Sequence, residues 1–179
     1  MPIAGSTWRG EQLSLLAKQL HARQSSEQFE ILIKEAKSEL QNLKNKDDCK
    51  SEFMTDSFRN IELLEQDFNR QKRLDPKLVV ELATAKSEGY MCWQEARKNN
   101  DFKSFSPALK KLISLRTEQS NQLCEERSCW ETLAQPFEPN LTINRVRELF
   151  EPLKKRLPEL IQKAATITNK KIKKWDLAN

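Results

Sequence analysis

The sequence predicts an all-α fold, an irregular bundle of six to eight helices with no sheet. Three observations carry that expectation. Leu, Lys, Glu, Gln and Ala dominate the composition, and all five favour helix. Only 3 of the 179 residues are glycine, too few for the tight turns of a sandwich or barrel. Apolar residues recur at intervals of three and four in one stretch after another, the spacing that lines one helix face. Hydrophobic residues make up 37% of the chain and charged residues 32%, enough apolar surface for a helical core. No Gly/Ser-rich linker or internal repeat divides it, so residues 1–179 read as a single helical unit.

The first helix starts near Ser6 or Thr7, and Leu13, Leu16, Ala17 and Leu20 form its expected buried stripe. Ser25 and Ser26 end it and can cap a second helix, whose stripe is Phe29, Leu32, Ile33, Ala36 and Leu40. The polar run Asn45-Lys46-Asp47-Asp48 reads as a loop. A third helix carries Phe58, Ile61, Leu64 or Glu65, and Phe68, and ends near Leu74. Asp75-Pro76 is a restart signal. Aspartate at the N-cap accepts from free amides, and proline at the first helical position lacks only a donor that had no partner.

The fourth helix places Leu78, Leu82, Ala85, Gly89, Cys92, Trp93 and Ala96 at helical spacing. Gly89 costs about 1 kcal/mol relative to Ala in a helix interior, so its expected use is to let another helix approach closely. Asn99-Asn100-Asp101 breaks the pattern, and Ser106-Pro107 repeats the cap-and-proline device within the next helical stretch. Leu109, Leu112, Ile113, Leu115 and Leu123 are the next expected buried face. A short piece from Trp130 to Ala134 leads into Pro136-Phe137-Glu138-Pro139, which must extend or turn. Thr142 caps a last helical region that Pro152 and Pro158 should kink or divide.

Catalytic patterns are scarce. His21 is the single histidine. A helical zinc site built on two histidines at i and i+4 needs a pair, and a Ser-His-Asp or Cys-His arrangement would have to use this one. Its neighbours Gln19, Arg23 and Gln24 supply no such pattern, so His21 reads as a structural residue, partly exposed and near the helix dipole. Three glycines cannot build a phosphate-binding loop. Glu125-Glu126 and Asp47-Asp48 are adjacent and would diverge on a helix. Glu81, Glu88 and Glu95 lie seven apart, but no Glu-x-x-His accompanies them, so they read as a solvated face. No catalytic and no metal-binding residue is assigned, and substrate-binding residues are unassigned.

The net charge of +5 is spread among interleaved acids and bases and requires no polyanionic partner. Lys154, Lys155 and Arg156, then Lys170, Lys171, Lys173 and Lys174 before Trp175, form a basic tail with one aromatic, which is weak grounds for phosphate or membrane binding. Neither nucleic acid nor membrane is expected as a partner. Cys49, Cys92, Cys124 and Cys129 form no C-x-x-C pair; Cys92 is expected to be a small buried hydrophobe. The opening Met1-Pro2-Ile3-Ala4-Gly5 is no signal peptide, and no apolar run approaches the roughly 20 residues that span a bilayer. The expectation is a reduced, cytoplasmic protein.

The stretch from Leu74 to Ala164 carries a resemblance. Its centre reads Leu78 to Glu88, then Trp93-Gln94-Glu95-Ala96-Arg97, then Asn100-Asp101-Phe102-Lys103-Ser104-Phe105-Ser106-Pro107-Ala108-Leu109. This resembles the N-terminal helical region of the carboxypeptidase Taq family of metallocarboxypeptidases. Trp130 to Leu133, Phe137-Glu138-Pro139 and Thr142 to Leu160 are similar to later parts of that region, and Met1-Pro2, Arg9, Gln12, Leu13 and Leu20-His21 fit its start. Two departures stand out. Asn140 takes the place of a glycine, though asparagine tolerates the left-handed backbone too, and Glu131 takes the place of an aspartate.

The resemblance implies an enzyme class. Its members remove C-terminal amino acids from peptides with a zinc or cobalt ion held by an H-E-x-x-H motif and a later glutamate, and the motif's glutamate serves as general base. None of those residues has a counterpart in this sequence. The resemblance therefore implies the helices that wall and cap a substrate groove, a peptide substrate and a homodimer surface for the complete enzyme, and no activity or cofactor in this chain alone. The alternative is a stand-alone helical interaction module that binds a protein, a peptide or an anionic partner.

Overall fold

A computed structural model describes residues 5–46, 52–124 and 126–176; the side chains at 6–7, 44–46, 52–53 and 168–176 stand outside the description. Among the described residues there are seven helices and no strand, as the composition predicts. They are α1 (Ser6–Gln24), α2 (Glu27–Lys46), α3 (Glu52–Lys72), α4 (Pro76–Lys98), α5 (Phe102–Leu123), α6 (Cys129–Ala134) and α7 (Ile143–Asp176). The sequence carries no linker, yet the contacts divide the chain into two compact units, Met1–Cys129 and Trp130–Asn179.

In the first unit α4 is the hub, with α1 along one side and α5 along another, while α2 and α3 pair. The core is Leu74, Leu78, Leu82, Ala85, Leu115 and Leu123, flanked by Val79 and Leu112. Asp75 accepts from the Lys77 amide at 2.8 Å with Pro76 at the first helical position, so the restart signal is realised. Gln122 reaches back from α5 and accepts from the Asp75 amide at 2.8 Å. Gly89 has the expected use: a Cβ there would lie 2.9 Å from Leu112 Cδ1 of α5.

The pairing of α2 with α3 is half polar. Ser26 caps α2 by accepting from the Phe29 amide at 3.2 Å. Phe29 meets Phe68 with ring centroids 6.2 Å apart, and Ile33 and Phe68 are buried. Lys37 bonds Glu65 at 2.6 Å, so Glu65 rather than the exposed Leu64 occupies the seam. Leu32 and Ala36, expected in the α2 stripe, are exposed, because Phe29, Ile33, Lys37 and Leu40 take the covered positions. Glu30 accepts from Lys34 at 2.8 Å and from Lys72 of α3 at 2.7 Å, and those two bonds hold its carboxyl down to about 2. Asn45 and Lys46, read as loop, still belong to α2, and Asp47, Asp48 and Cys49 lie outside the described residues.

Of the expected α1 stripe only Ala17 lies on the inward face. Leu13, Leu16 and Leu20 are 40, 60 and 57% exposed. The inward face is instead Gly10, Ser14, Ala17, His21 and Gln24, with Gly10 and His21 buried. Small residues let two helix backbones approach, and at Gly10 a Cβ would already reach Ser87 Oγ of α4 at 3.6 Å. A leucine face could not come that close.

Three further expectations change. Cys92 and Ile113 are exposed rather than buried, since the covered sides of α4 and α5 run through Gly89 and Ala96 and through Leu112 and Leu115. Ser106-Pro107 lies within α5, as read, but the cap is Asp101 instead of Ser106. Asp101 caps α5 by accepting from the Ser104 amide at 3.3 Å, and Pro107 lies inside the helix. Pro152 and Pro158 do not divide α7, which runs unbroken from Ile143 to Asp176. Each proline removes one ladder donor, and on an exposed helix the freed carbonyl can turn to water.

In the second unit a compact turn leads into α7. Gln135 organises it, donating to the Glu131 and Leu141 carbonyls at 3.0 and 3.3 Å and accepting from the Asn140 amide at 2.9 Å. Asn140 has φ 65°, the left-handed backbone for which asparagine was expected to serve. Thr142 caps α7 as read, accepting from the Arg145 amide at 3.2 Å. Glu131 adds a second cap, accepting from the Ile143 amide at 2.8 Å, where a carboxylate also meets the positive end of the helix dipole.

Candidate functional site

The residues that carry the family resemblance converge on one helix–helix corner. After α4, Asn99 is the C-cap and Asn100 turns left-handed at φ 55°. The Asp101 amide donates back to the Ala96 carbonyl at 2.8 Å and the Asn100 amide to the Arg97 carbonyl at 3.3 Å, the paired bonds of a Schellman ending. Asp101 then caps α5, and the Ser104 hydroxyl donates to its carbonyl at 2.9 Å. Three residues thus close one helix and open the next.

That corner frames an open recess of about 450 Å³ lined by Trp93, Ala96, Arg97, Asn100, Asp101, Phe102 and Phe105. Its walls are aromatic. The Arg97 guanidinium lies 5.7 Å from the Trp93 ring centroid, Tyr90 stands 5.9 Å from Trp93, and Phe102 meets Phe105 edge-on at 6.3 Å. Trp93 and Phe102 are 41 and 68% exposed. Such a recess can hold an apolar or aromatic group beside one cation and one carboxylate. It offers no nucleophile paired with a base.

A second groove of about 690 Å³ runs between α1 and α4, lined by Arg9, Leu13, Ala83, Lys86, Ser87, Tyr90, Met91 and Gln94. Gln94 Nε2 donates to the Tyr90 hydroxyl at 3.1 Å. The Lys86 ammonium, though it reaches solvent, is held below the ordinary lysine range by partial burial first and by Arg116 second. Arg70 of α3 is lowered in the same way, by burial and by Arg116, with Asp67 opposing.

The residues weighed for chemistry in the sequence do not gather in either place. His21 is 4% exposed, not partly exposed as read, and its Nδ1–H donates to Gln71 Oε1 at 3.3 Å, tying α1 to α3. Its carbonyl accepts from the Ser25 amide at 2.9 Å. Glu81, Glu88 and Glu95 are exposed; Glu88 meets Lys111 at 3.4 Å and Glu95 accepts from Asn99 at 2.8 Å. Cys92, Cys124 and Cys129 are free thiols. Glu125 and the side chains from Lys170 to Trp175 lie outside the described residues.

Among the described residues, no group of three or more His, Cys, Asp or Glu could hold a metal ion. Nor is any helix long and apolar enough to cross a membrane. The recess itself was not read from the sequence. The available signal was two aromatic-bearing motifs, W-x-x-A-R and D-F-x-x-F, bracketing one left-handed asparagine.

Comparison with known proteins identifies the family. A sequence model of the carboxypeptidase Taq (M32) metallopeptidases matches residues 1–178. The chain belongs to the carboxypeptidase Taq (M32) metallopeptidase family. Thermostable carboxypeptidase 1 of Thermus thermophilus is 27% identical over 173 residues, 91% of this chain and 32% of that protein. Carboxypeptidase 1 of Bacillus subtilis is 24% identical over 169 residues, 94% of this chain and 32% of its own. The BsuCP crystal structure shares the fold over 91% of this chain and 31% of its own, with a TM-score of 0.77 at 24% identity. Trypanosoma cruzi metallocarboxypeptidase 1 follows at 0.68 and 25% identity, covering 90% of this chain and 31% of that one. The chain therefore spans about a third of the length of these M32 relatives, and it matches their N-terminal part.

Proposed function

We propose that this chain is the N-terminal helical part of an M32 metallocarboxypeptidase that removes C-terminal amino acids from peptides, and that it supplies walls and cap of the substrate groove. The observation that carries this reading is the α4–α5 corner. The signature residues Trp93, Arg97, Asp101, Phe102 and Phe105 build an open aromatic recess fit to receive a side chain, with no reacting group in it. The apolar face left in solvent on α1, Trp8, Leu16 and Leu20, supports a part of a larger fold over a self-contained module.

The divalent ion of the complete enzyme, zinc or cobalt, does not fit the residues present here, since no donor cluster exists among those described. No step of peptide hydrolysis is assigned to this chain. A cytoplasmic location and a homodimer of the complete enzyme complete the proposal. The free thiols Cys92, Cys124 and Cys129 suit a reducing compartment.

The test is direct. The purified chain, supplied with zinc or cobalt, is incubated with an N-blocked dipeptide, and amino-acid release is followed. No release above the metal-only blank is expected. Release that a chelator abolishes would place a working metal centre in this chain and overturn the reading.

A further inference from the structure

We infer that α7 is a docking seam for one amphipathic partner helix whose flanks are acidic. The inference goes beyond the enzymatic reading and stands without it. It starts from a repeat along the helix. Phe150, Leu153, Leu157, Leu160, Ala164 and Ile167 follow one another at alternating intervals of three and four. Ile143 and Val146 extend the same alternation backwards. This is the heptad spacing by which one helix packs its knobs between the residues of another. On a helix of 3.6 residues per turn these positions share an arc of about 120°, the narrow stripe that suits a helix partner better than a broad apolar surface.

The seam is open. Ile143 and Val146 are half-buried, but Phe150, Leu153, Leu157, Leu160 and Ile167 are 55, 46, 43, 66 and 58% exposed. Pro152 and Pro158 stand on the other half of the helix, where their rings do not obstruct the seam.

Charge decides what fits. The helix carries ten Lys and Arg against four Asp and Glu, a net +6, so the rest of the chain carries −1 of the total +5. The cations sit beside the seam: Arg147 and Lys154 on one edge, Arg145, Arg156 and Lys163 on the other. The acids Glu148, Glu151 and Glu159 lie on the far side and bond within the helix to Arg145, Lys154 and Lys163 at 3.1, 3.0 and 2.6 Å. Arg147 and Arg156 have no ion-pair partner among the described residues. A second copy of α7 would bring cation against cation at both edges, whereas a helix with Glu or Asp beside its leucines would pair with them. Charge complementarity thus selects an acidic-flanked helix over self-association.

The test uses the whole chain and two synthetic 28-residue helices, both with leucine at the seam positions, one flanked by glutamate and the other by lysine. Calorimetry at low salt should show one glutamate-flanked peptide per chain, bound at least tenfold more tightly than the lysine-flanked one, with the gap closing as salt rises. A Leu153→Asp/Leu157→Asp variant should lose the binding while keeping its circular-dichroism helicity. An Arg147→Glu/Arg156→Glu variant should lose the preference and keep the seam. Equal binding of the two peptides, or none, would overturn the inference. So would a chain that dimerises through α7 by itself. Sedimentation with 4:1 phosphatidylcholine–phosphatidylglycerol vesicles, dependent on Leu153 and Leu157 and without peptide binding, would assign the seam to a membrane surface instead.

Discussion

Helices α1 and α4 lie along each other, yet they use opposite kinds of surface. On α4 the covered residues are Leu78, Leu82, Ala85, Gly89 and Ala96, and the apolar pattern names the buried side. On α1 the covered residues are Gly10, Ser14, Ala17, His21 and Gln24, while Trp8, Leu16 and Leu20 stand 64, 60 and 57% exposed. The difference shows what hydrophobic periodicity reports. It marks a face meant to leave water, without saying which partner removes it. On α4 the partner is in this chain. On α1 the apolar face is a candidate surface for further parts of an M32 fold, and close packing of small residues attaches the helix from its other side.

Truncating the two faces should break the comparison most visibly. Leu82→Ala removes a side chain that is 5% exposed at the centre of the core and should cost about 2–5 kcal/mol. Leu16→Ala should stay within about 0.5 kcal/mol of the parent, because the site is largely in solvent. Urea unfolding of the two variants reads both values, and similar costs would mean that the α1 leucines are covered.

A smaller effect tests the inner side of α1. Gly10→Ala should be tolerated, since its Cβ would meet Ser87 at an ordinary 3.6 Å. Gly10→Leu should wedge α1 from α4 and cost about 1–3 kcal/mol by overpacking. A Leu variant as stable as the Ala variant would show that no close approach exists there.

The smallest effect belongs to the polar pairing of α2 and α3. Glu30 has its carboxyl lowered to about 2 by its bonds to Lys34 and Lys72. A lowered carboxyl adds stability that is present above the ordinary value of 4.5 and lost as pH falls through about 2. Glu30→Gln should therefore be slightly less stable than the parent at neutral pH and equal to it near pH 2. The pair is exposed, so the gap should be modest and shrink with salt. A gap that persists unchanged in acid would assign the effect to packing instead.

Much of the fold was legible wherever local chemistry decides the backbone. Asp75-Pro76, Ser26, Thr142 and Asn140 each fix a cap or a turn through their own side chain or φ, and each does so in the structure. Gly89 was legible because an uncompensated glycine inside a helix needs a close neighbour. What escaped depends on partners distant in sequence. The open α1 face, the exposure of Cys92 and Ile113 and the burial of His21 follow from where other helices lie, which local spacing does not encode. Ser106 is not the cap, because Asp101 has already opened the helix five residues earlier. The aromatic recess was half-legible. Its residues were singled out as a pattern, but their convergence depends on the left-handed turn at Asn100.

The orientation of α1 is the point on which the account most depends, and thiol labelling tests it directly. Gly10→Cys and Leu16→Cys are made separately, and alkylation at each position is followed by mass spectrometry, which separates it from the native thiols. With the leucine face outward, Leu16→Cys should react at nearly the rate of the unfolded chain and Gly10→Cys at least about tenfold more slowly, since it reacts only when α1 opens. A slow Leu16→Cys beside a fast Gly10→Cys would contradict the account by placing the leucine face inward.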